Sequence, residues 1–472
     1  MVFSSVIFLG IFLPAVLLLY FIVNNRVWRN YVLLIASLLF YAWGEPVWVA
    51  AMAALSFLDY LGGLAVSRMR AGGGRKLLLV VMVALNLALL FLFKYFNFLL
   101  GSISDLAMRI TGAGFSYAPF PFAMPIGVSF FTFQALSYFI DVYRGDTAPQ
   151  KNYFYVLLYI SMFPQLIAGP IVRYADVEHE ILTRRETASD FAQGAFRFCV
   201  GLGKKVILAN YAGSLATTLL SDNLSVLSAS GAWVGILMYT AQIYFDFSGY
   251  SDMAIGLGRI FGFRFKENFN YPYAARTVTE FWRRWHISLS TFFRDYVYIP
   301  LGGNRRHQYL NILIVWALTG LWHGASWNFL LWGLYYAVLL TVEKLLKKND
   351  IDMGKVPFAS NVFLLLIVVF GWAIFYYTDS SQLFTFAGRL LGLGGATVTM
   401  SLRELTAVNE IFFLLPVLAL ASTPLPARLC NRLFSGKRAE VYVKTLWAGL
   451  LLAVCFVMII NQTYNPFLYF RF

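Results

Sequence analysis

Apolar runs long enough to enter a lipid bilayer recur along this 472-residue chain, and short polar loops separate them. They fall at about 3–24, 31–44, 47–67, 77–100, 122–143, 153–172, 196–220, 232–258, 309–323, 328–346, 357–377, 410–427 and 445–462. A straight span needs roughly 20 such residues, so the shorter runs are expected to be re-entrant or half-buried. Backbone in hydrocarbon must satisfy its own hydrogen bonds, which leaves helices as the structure for these runs. With 60% apolar and 13% charged residues, the chain has too little polar surface to coat a soluble globule. The expectation is an all-α polytopic membrane protein folded as one domain over 1–472, without internal repeats. Val2 to Val23 lacks a basic leader and a small-residue cleavage site, and reads as a retained first span.

Charge then orients the chain. The net charge of +14 is concentrated in short loops, which is what positive-inside topology produces and which argues against nucleic acid as a partner. Arg294 with Arg305 and Arg306, Lys344 with Lys347 and Lys348, and Arg428 to Lys444 are placed on the cytoplasmic side. The segments 309–323 and 328–346 then rise from that side and return to it, with their turn inside the membrane. The same counting sends 445–462 outward and puts the tail 463–472 on the outer face. The stretch 259–308 alternates bases with aromatics and is expected to form amphipathic helices in the cytoplasmic interface. Cys199, Cys430 and Cys455 are too scattered for a disulfide framework, and no metal spacing exists.

At the intramembrane turn stands Trp322-His323-Gly324-Ala325-Ser326-Trp327-Asn328. A titratable imidazole at that depth is costly and marks a functional site. His323 is a candidate general base able to take a proton from an attacking hydroxyl; the alternative is a structural histidine packed between tryptophans and bonded to a backbone carbonyl. His286 lies 37 residues earlier beside Arg283 and Arg284, as a second proton position or an interfacial contact. His179 and His307 fall in charged loops and read as surface residues. Arg283, Arg284 and Arg294 offer a positive face, either ordinary topology charge or a docking surface for phosphates.

Tyr244 to Asp252 places two carboxylates inside an apolar run, where Asp246 and Tyr250 line a cavity or join a polar network. Gly201-Leu202-Gly203-Lys204-Lys205 lacks the spacing of a phosphate loop and reads as a helix-packing glycine pair beside a membrane-edge charge. Trp322 and Asn328 flank the turn as candidate substrate contacts. Pro466 to Phe472 is strongly aromatic, either an interfacial anchor or a tail that presents the Tyr469 hydroxyl at the outer mouth.

Several of these motifs together resemble one family. Tyr271-Pro272-Tyr273, Phe281-Trp282-Arg283-Arg284-Trp285-His286, Tyr298-Ile299-Pro300-Leu301-Gly302-Gly303-Asn304, Leu318 to Gly324 and Phe163 to Ile171 are similar to the membrane-bound O-acyltransferases. The match is to the bacterial branch that O-acetylates alginate and D-alanylates teichoic acid. The resemblance implies a ring of tilted helices around a thinned centre, with His323 and His286 at the positions of the family's histidines. It implies an acyl donor on the cytoplasmic side, acetyl-coenzyme A or a carrier-protein thioester, as substrate with no bound cofactor. It further implies a bacterial inner membrane location, a polysaccharide acceptor and an outer partner resembling an SGNH-type esterase. Phe467 to Phe472 resembles an aromatic motif of envelope acylation systems whose tyrosine is proposed to carry the acyl group, which would make Tyr469 a relay. Direct transfer to a polysaccharide or lipid hydroxyl, a transporter, and a scaffold of a secretion complex are the competing readings.

Overall fold

The computed structural model describes residues 1–221, 224–436, 438–461, 467 and 468, and among these every regular element is a helix. Five helices are long and apolar enough to cross a membrane: Trp48–Arg68, Gly73–Thr111, Trp327–Lys348, Pro357–Tyr376 and Ala439–Asn461. Leu402–Glu410 and Phe412–Ala421, bent by 56°, make a sixth if counted as one broken span. Other apolar runs fall short of a span, Phe8–Ile22 and Arg26–Ala42 because their helices are too short and others because they are broken. The run 153–172, for instance, is helical only over Tyr153–Ser161.

The contacts of the chain fall into two compact units, residues 1–194 with 254–266 and residues 195–253 with 267–472. In the first, Asn25 caps the helix Arg26–Ala42 by accepting from the amides of Val27 and Trp28, which turns the chain back after Phe8–Ile22. Phe8, Phe40 and Phe163 gather into an aromatic core with ring centroids 5.6–6.3 Å apart. The stretch 162–172 has no α-helix and is buried throughout. Such backbone is tolerated in a membrane protein only where other groups of the protein satisfy it. Here the Phe163 amide donates to Ser37 Oγ at 3.0 Å, and the Tyr159 hydroxyl donates to the Val172 carbonyl at 2.8 Å.

Glu186 joins separate parts of this unit. Arg26 and Arg29 reach it at 2.6 and 2.7 Å, and the Tyr20 hydroxyl donates to it as well. Burial alone would push this carboxyl up, but Arg26, Tyr20 and Arg184 outweigh that and hold it below the usual carboxylate range.

The second unit carries every candidate site residue that the structure describes. Its spine is the helix Ala229–Ile260, whose residues up to Met253 belong here. A Cβ on Gly201 would lie 2.6 Å from the Gly249 carbonyl oxygen, and one on Gly249 would lie 2.8 Å from that of Gly201. A Cβ on Gly203 would meet the Leu451 side chain at 3.1 Å, so Gly201 and Gly203 both face other helices, as their sequence suggested. Their neighbour Lys205 is buried on the π-helical turn Lys204–Ala209, facing Asp246.

Helices Gln308–His323 and Trp327–Lys348 form the expected hairpin, with His323 ending the first and three residues making the turn. They cross where Gly320 and Gly333 meet, and a Cβ on either would come within 2.2 Å of a carbonyl oxygen of the other helix. No side chain fits between backbones that close.

The stretch 278–293 departs from expectation. It forms two seven-residue helices, Val278–Arg284 and Ile287–Phe293, and Phe281, Trp282, Trp285, Phe292 and Phe293 are turned into the protein core rather than out toward headgroups. Trp282 packs at 4.6 Å on Trp316 and 4.8 Å on Tyr336, while Trp285 packs at 4.8 Å on Trp372. Each such aromatic pair is worth about 0.5–1.5 kcal/mol beyond its buried area, so these rings gain more inside than at a lipid surface.

Candidate active site

His323 is 6% exposed, and its Nδ1 lies 2.7 Å from the Thr319 carbonyl oxygen one turn back in its own helix. A carbonyl only accepts, so Nδ1 carries the proton and Nε2 carries the lone pair. The ring is held between Trp322, Trp332 and Phe375 at 5.0, 5.0 and 5.5 Å. Gly324 follows because a Cβ there would fall 2.1 Å from the Phe329 ring. A positioned imidazole with a fixed tautomer is what a general base requires.

His286 is 1% exposed and sits between the two seven-residue helices with φ of 45°. A histidine in left-handed backbone is uncommon, and such strain gathers at functional sites. Its Nδ1 is 3.1 Å from Asn268 Oδ1, which also accepts from the Ser288 amide at 3.2 Å and the Ser288 hydroxyl at 2.8 Å. The Ser288 amide can only donate, and this fixes which end of Asn268 is the acceptor; its amide nitrogen donates in turn to Ser251 Oγ at 3.0 Å. His286 is thereby also the Nδ1–H tautomer, and its Nε2 is buried without a protein partner. The imidazole lies on none of the long apolar helices. Burial, and then the nearby His323, hold its pKa well below the ordinary value.

The two histidines share one aromatic wall, because the Trp322 ring is 5.0 Å from that of His323 and 5.8 Å from that of His286. Phe247 closes the other side of His286 at 4.6 Å. Each imidazole is held through Nδ1, and both lie against the same aromatic wall.

The other sequence candidates fall around this pair in different ways. Asp246 pairs with Lys205 at 2.6 Å, and Asp252 pairs with Arg197 at 2.8 Å and Lys204 at 2.7 Å. Tyr250 is buried against Phe467 at 4.6 Å. Asn328 spends its amide on the Ile374 and Phe375 carbonyls at 3.3 and 3.2 Å, holding the start of its helix to the end of Pro357–Tyr376. Arg283 is exposed, Arg284 pairs with Glu280 at 2.5 Å, and Arg294 pairs with Asp295 at 2.7 Å. Arg283 and Arg284 end the short helix just before His286, and Arg294 opens the turn that follows Ile287–Phe293. Tyr469 lies outside the described residues.

Asn268 and Thr319 anchor this site and Lys205 pairs with the candidate Asp246, and none of the three was singled out from sequence for these roles. Only Lys205 carried a signal, as a cation inside an apolar run. The family model for MBOAT, the membrane-bound O-acyltransferase family, matches residues 144–377, which hold both histidines, Asn268 and Asp246. The chain is similar over its whole length to the whole of the probable alginate O-acetylase AlgI of Pseudomonas putida, at 38% identity. It is 30% identical to the peptidoglycan O-acetyltransferase of Helicobacter pylori, over all of this chain and 98% of that one. The teichoic acid D-alanyltransferase of Bacillus subtilis matches 53% of this chain and 68% of its own length at 28% identity. The chain therefore belongs to the membrane-bound O-acyltransferase family, in its alginate O-acetylation branch, and is a multi-pass membrane O-acyltransferase.

Proposed function

We propose that this protein takes an acetyl group from a thioester donor on the cytoplasmic side of the bacterial inner membrane and makes it available for O-acetylation of a polysaccharide outside. His323 is the general base of the reaction. The observation that carries this is the 2.7 Å bond from Nδ1 to the Thr319 carbonyl, which leaves Nε2 as the proton acceptor. His286, with the same tautomer, supplies the second proton position. The exposed Arg283 and Arg294 suit the phosphates of coenzyme A or an acidic carrier.

Tyr469 is the acyl relay in this reading. Its phenol is a poor nucleophile until deprotonated, since its pKa is about 10. His323 Nε2 takes the phenolic proton while the oxygen attacks the thioester carbonyl. The carbon–sulfur bond then breaks, the thiol leaves with that proton, and an aryl ester remains on Tyr469. The serine of an SGNH-type partner then collects the acetyl group, with the C-terminal segment on the outer face. Alginate and peptidoglycan are the acceptors that the names of the most similar relatives suggest.

The test is covalent labelling of the purified protein by radiolabelled acetyl-coenzyme A. Label on the C-terminal peptide, lost in both His323→Ala and Tyr469→Phe, is the expected result. Turnover that needs His323 and survives Tyr469→Phe replaces the relay with direct transfer to the acceptor hydroxyl. Full turnover in His323→Ala refutes the base assignment.

A further inference from the structure

One buried ion pair has no part in the chemistry proposed above. Lys205 is 2% exposed, with its Nζ 2.6 Å from Asp246 Oδ1. A buried pair of this kind adds little stability over an apolar pair of the same volume, so stability alone does not account for it. It stands on a π-helical turn, a local widening that re-aims side chains and that concentrates at functional sites. What distinguishes this pair is what it holds. Asp246 Oδ2 accepts the Leu468 amide at 2.7 Å, and the Lys205 ammonium lies 4.7 Å from the Phe467 ring centroid. Phe467 is itself 1% exposed, with its ring 4.6 Å from that of Tyr250 in an edge-on arrangement. A charge-assisted hydrogen bond, a cation–π contact and an aromatic contact converge on two consecutive residues.

We propose that Lys205, Asp246 and Tyr250 form a dock that captures the C-terminal tail at Phe467 and Leu468 and so positions the next residue, Tyr469, to receive the acyl group. The dock rests on the relay reading of Tyr469 for its purpose, though not for its contacts. Lys205 orients the Asp246 carboxylate so that its second oxygen meets the tail, and Tyr250 with the ammonium clasps the Phe467 ring. Helix periodicity adds a reason for this location. Asp246 and Tyr250 share one stripe of the helix Ala229–Ile260, while Phe247 and Ser251, which contact His286 and its anchor Asn268, share the stripe about 100° round. Tail and imidazole are thus served by the same turns of one helix. Lys205 and Asp246 act through the tail and are positioning residues.

The dock is tested on the full-length protein in detergent by timed carboxypeptidase digestion followed by intact-mass measurement. In the wild type, trimming is expected to stall before Leu468. Asp246→Ala removes the acceptor, and trimming through Leu468 and Phe467 should become at least about tenfold faster, the effect of losing a hydrogen bond to a charged group. Phe467→Ala leaves both helices and the ion pair unchanged and should also release the tail, which guards against misfolding of the Asp246 variant. The two changes combined should be less than additive, because both undo one docked state. In the labelling reaction, Asp246→Ala should lower the maximal rate of tail acylation at least tenfold with the donor KM kept within twofold, a split that a merely structural role would not give. Trimming needs no donor, so it judges the dock apart from the relay. Protection lost in both variants supports the dock even if the tail takes no label, and equal trimming rates in all three proteins overturn it even if label appears.

Discussion

Replacing Gly333 by alanine should disable this enzyme without touching a single reacting group. The added methyl would sit 2.2 Å from the Trp316 carbonyl oxygen, against the 3.4 Å at which ordinary contact begins, a shortfall of roughly 1.2 Å. The obstructing atom is helix backbone, which cannot swing aside, so helices Gln308–His323 and Trp327–Lys348 must part by about 1 Å at their crossing. Overpacking of this sort costs about 1–3 kcal/mol of stability. The larger effect falls on the site, because Trp332, next to Gly333, stands 5.0 Å from the His323 ring, and His323 lies three residues beyond Gly320. A displacement of about 1 Å in a reacting group costs on the order of 100-fold in rate. The assay is acetyl transfer from labelled acetyl-coenzyme A by monodisperse protein, with Gly449→Ala as control. A Cβ at Gly449 meets nothing within 4 Å, and alanine there should be neutral or slightly stabilising. A Gly333→Ala protein within threefold of the wild-type rate would refute the claim that this crossing positions His323.

Two further outcomes follow from the polar networks. Asn268→Ala strips the acceptor from His286 Nδ1 and from the Ser288 amide, and should cut the acetyl-transfer rate about tenfold to a hundredfold with little change in expression; an unchanged rate would remove His286 from the proton path. Glu186→Gln should destabilise the first unit by about 3–5 kcal/mol at neutral pH by leaving Arg26, Arg29 and Arg184 without their carboxylate. Because the folded pKa of Glu186 lies below its unfolded value, this contribution is present above about pH 4.3 and is lost as pH falls through the folded pKa. Thermal unfolding followed against pH should therefore show the gap between wild type and variant closing in acid, and a gap that stays constant would contradict the sign.

Much of this was legible in the chain itself. Apolar runs and basic loops gave the helical membrane class and the hairpin that ends at His323, because both follow from local composition and the needs of backbone in lipid. The two histidines stood out because titratable groups are rare in such runs. What surrounds them was not legible. Asn268 and Thr319 are ordinary residues whose importance comes from where the fold brings them, one through a side-chain amide and the other through a backbone carbonyl. The aromatic and basic block at 281–294 has the pattern of a surface-lying helix. Its rings instead found Trp316, Tyr336 and Trp372, partners remote in sequence that no periodicity reveals. Lys205 was visible as a charge near the membrane edge, but its pairing was not, because its partner Asp246 lies 41 residues away.

The left-handed backbone at His286 has a consequence for how this position tolerates change. A side chain normally chooses its direction by rotating about its own bonds, whereas here the main chain sets that direction first. Asparagine, aspartate and glycine are the residues most at ease with such a backbone, and β-branched residues the least. In a saturation library scored only for folded protein, position 286 should therefore return Asn and Gly well ahead of Gln or Val. Scored for acetyl transfer, it should return histidine alone, and the difference between the two rankings would measure how much of this residue belongs to architecture and how much to chemistry.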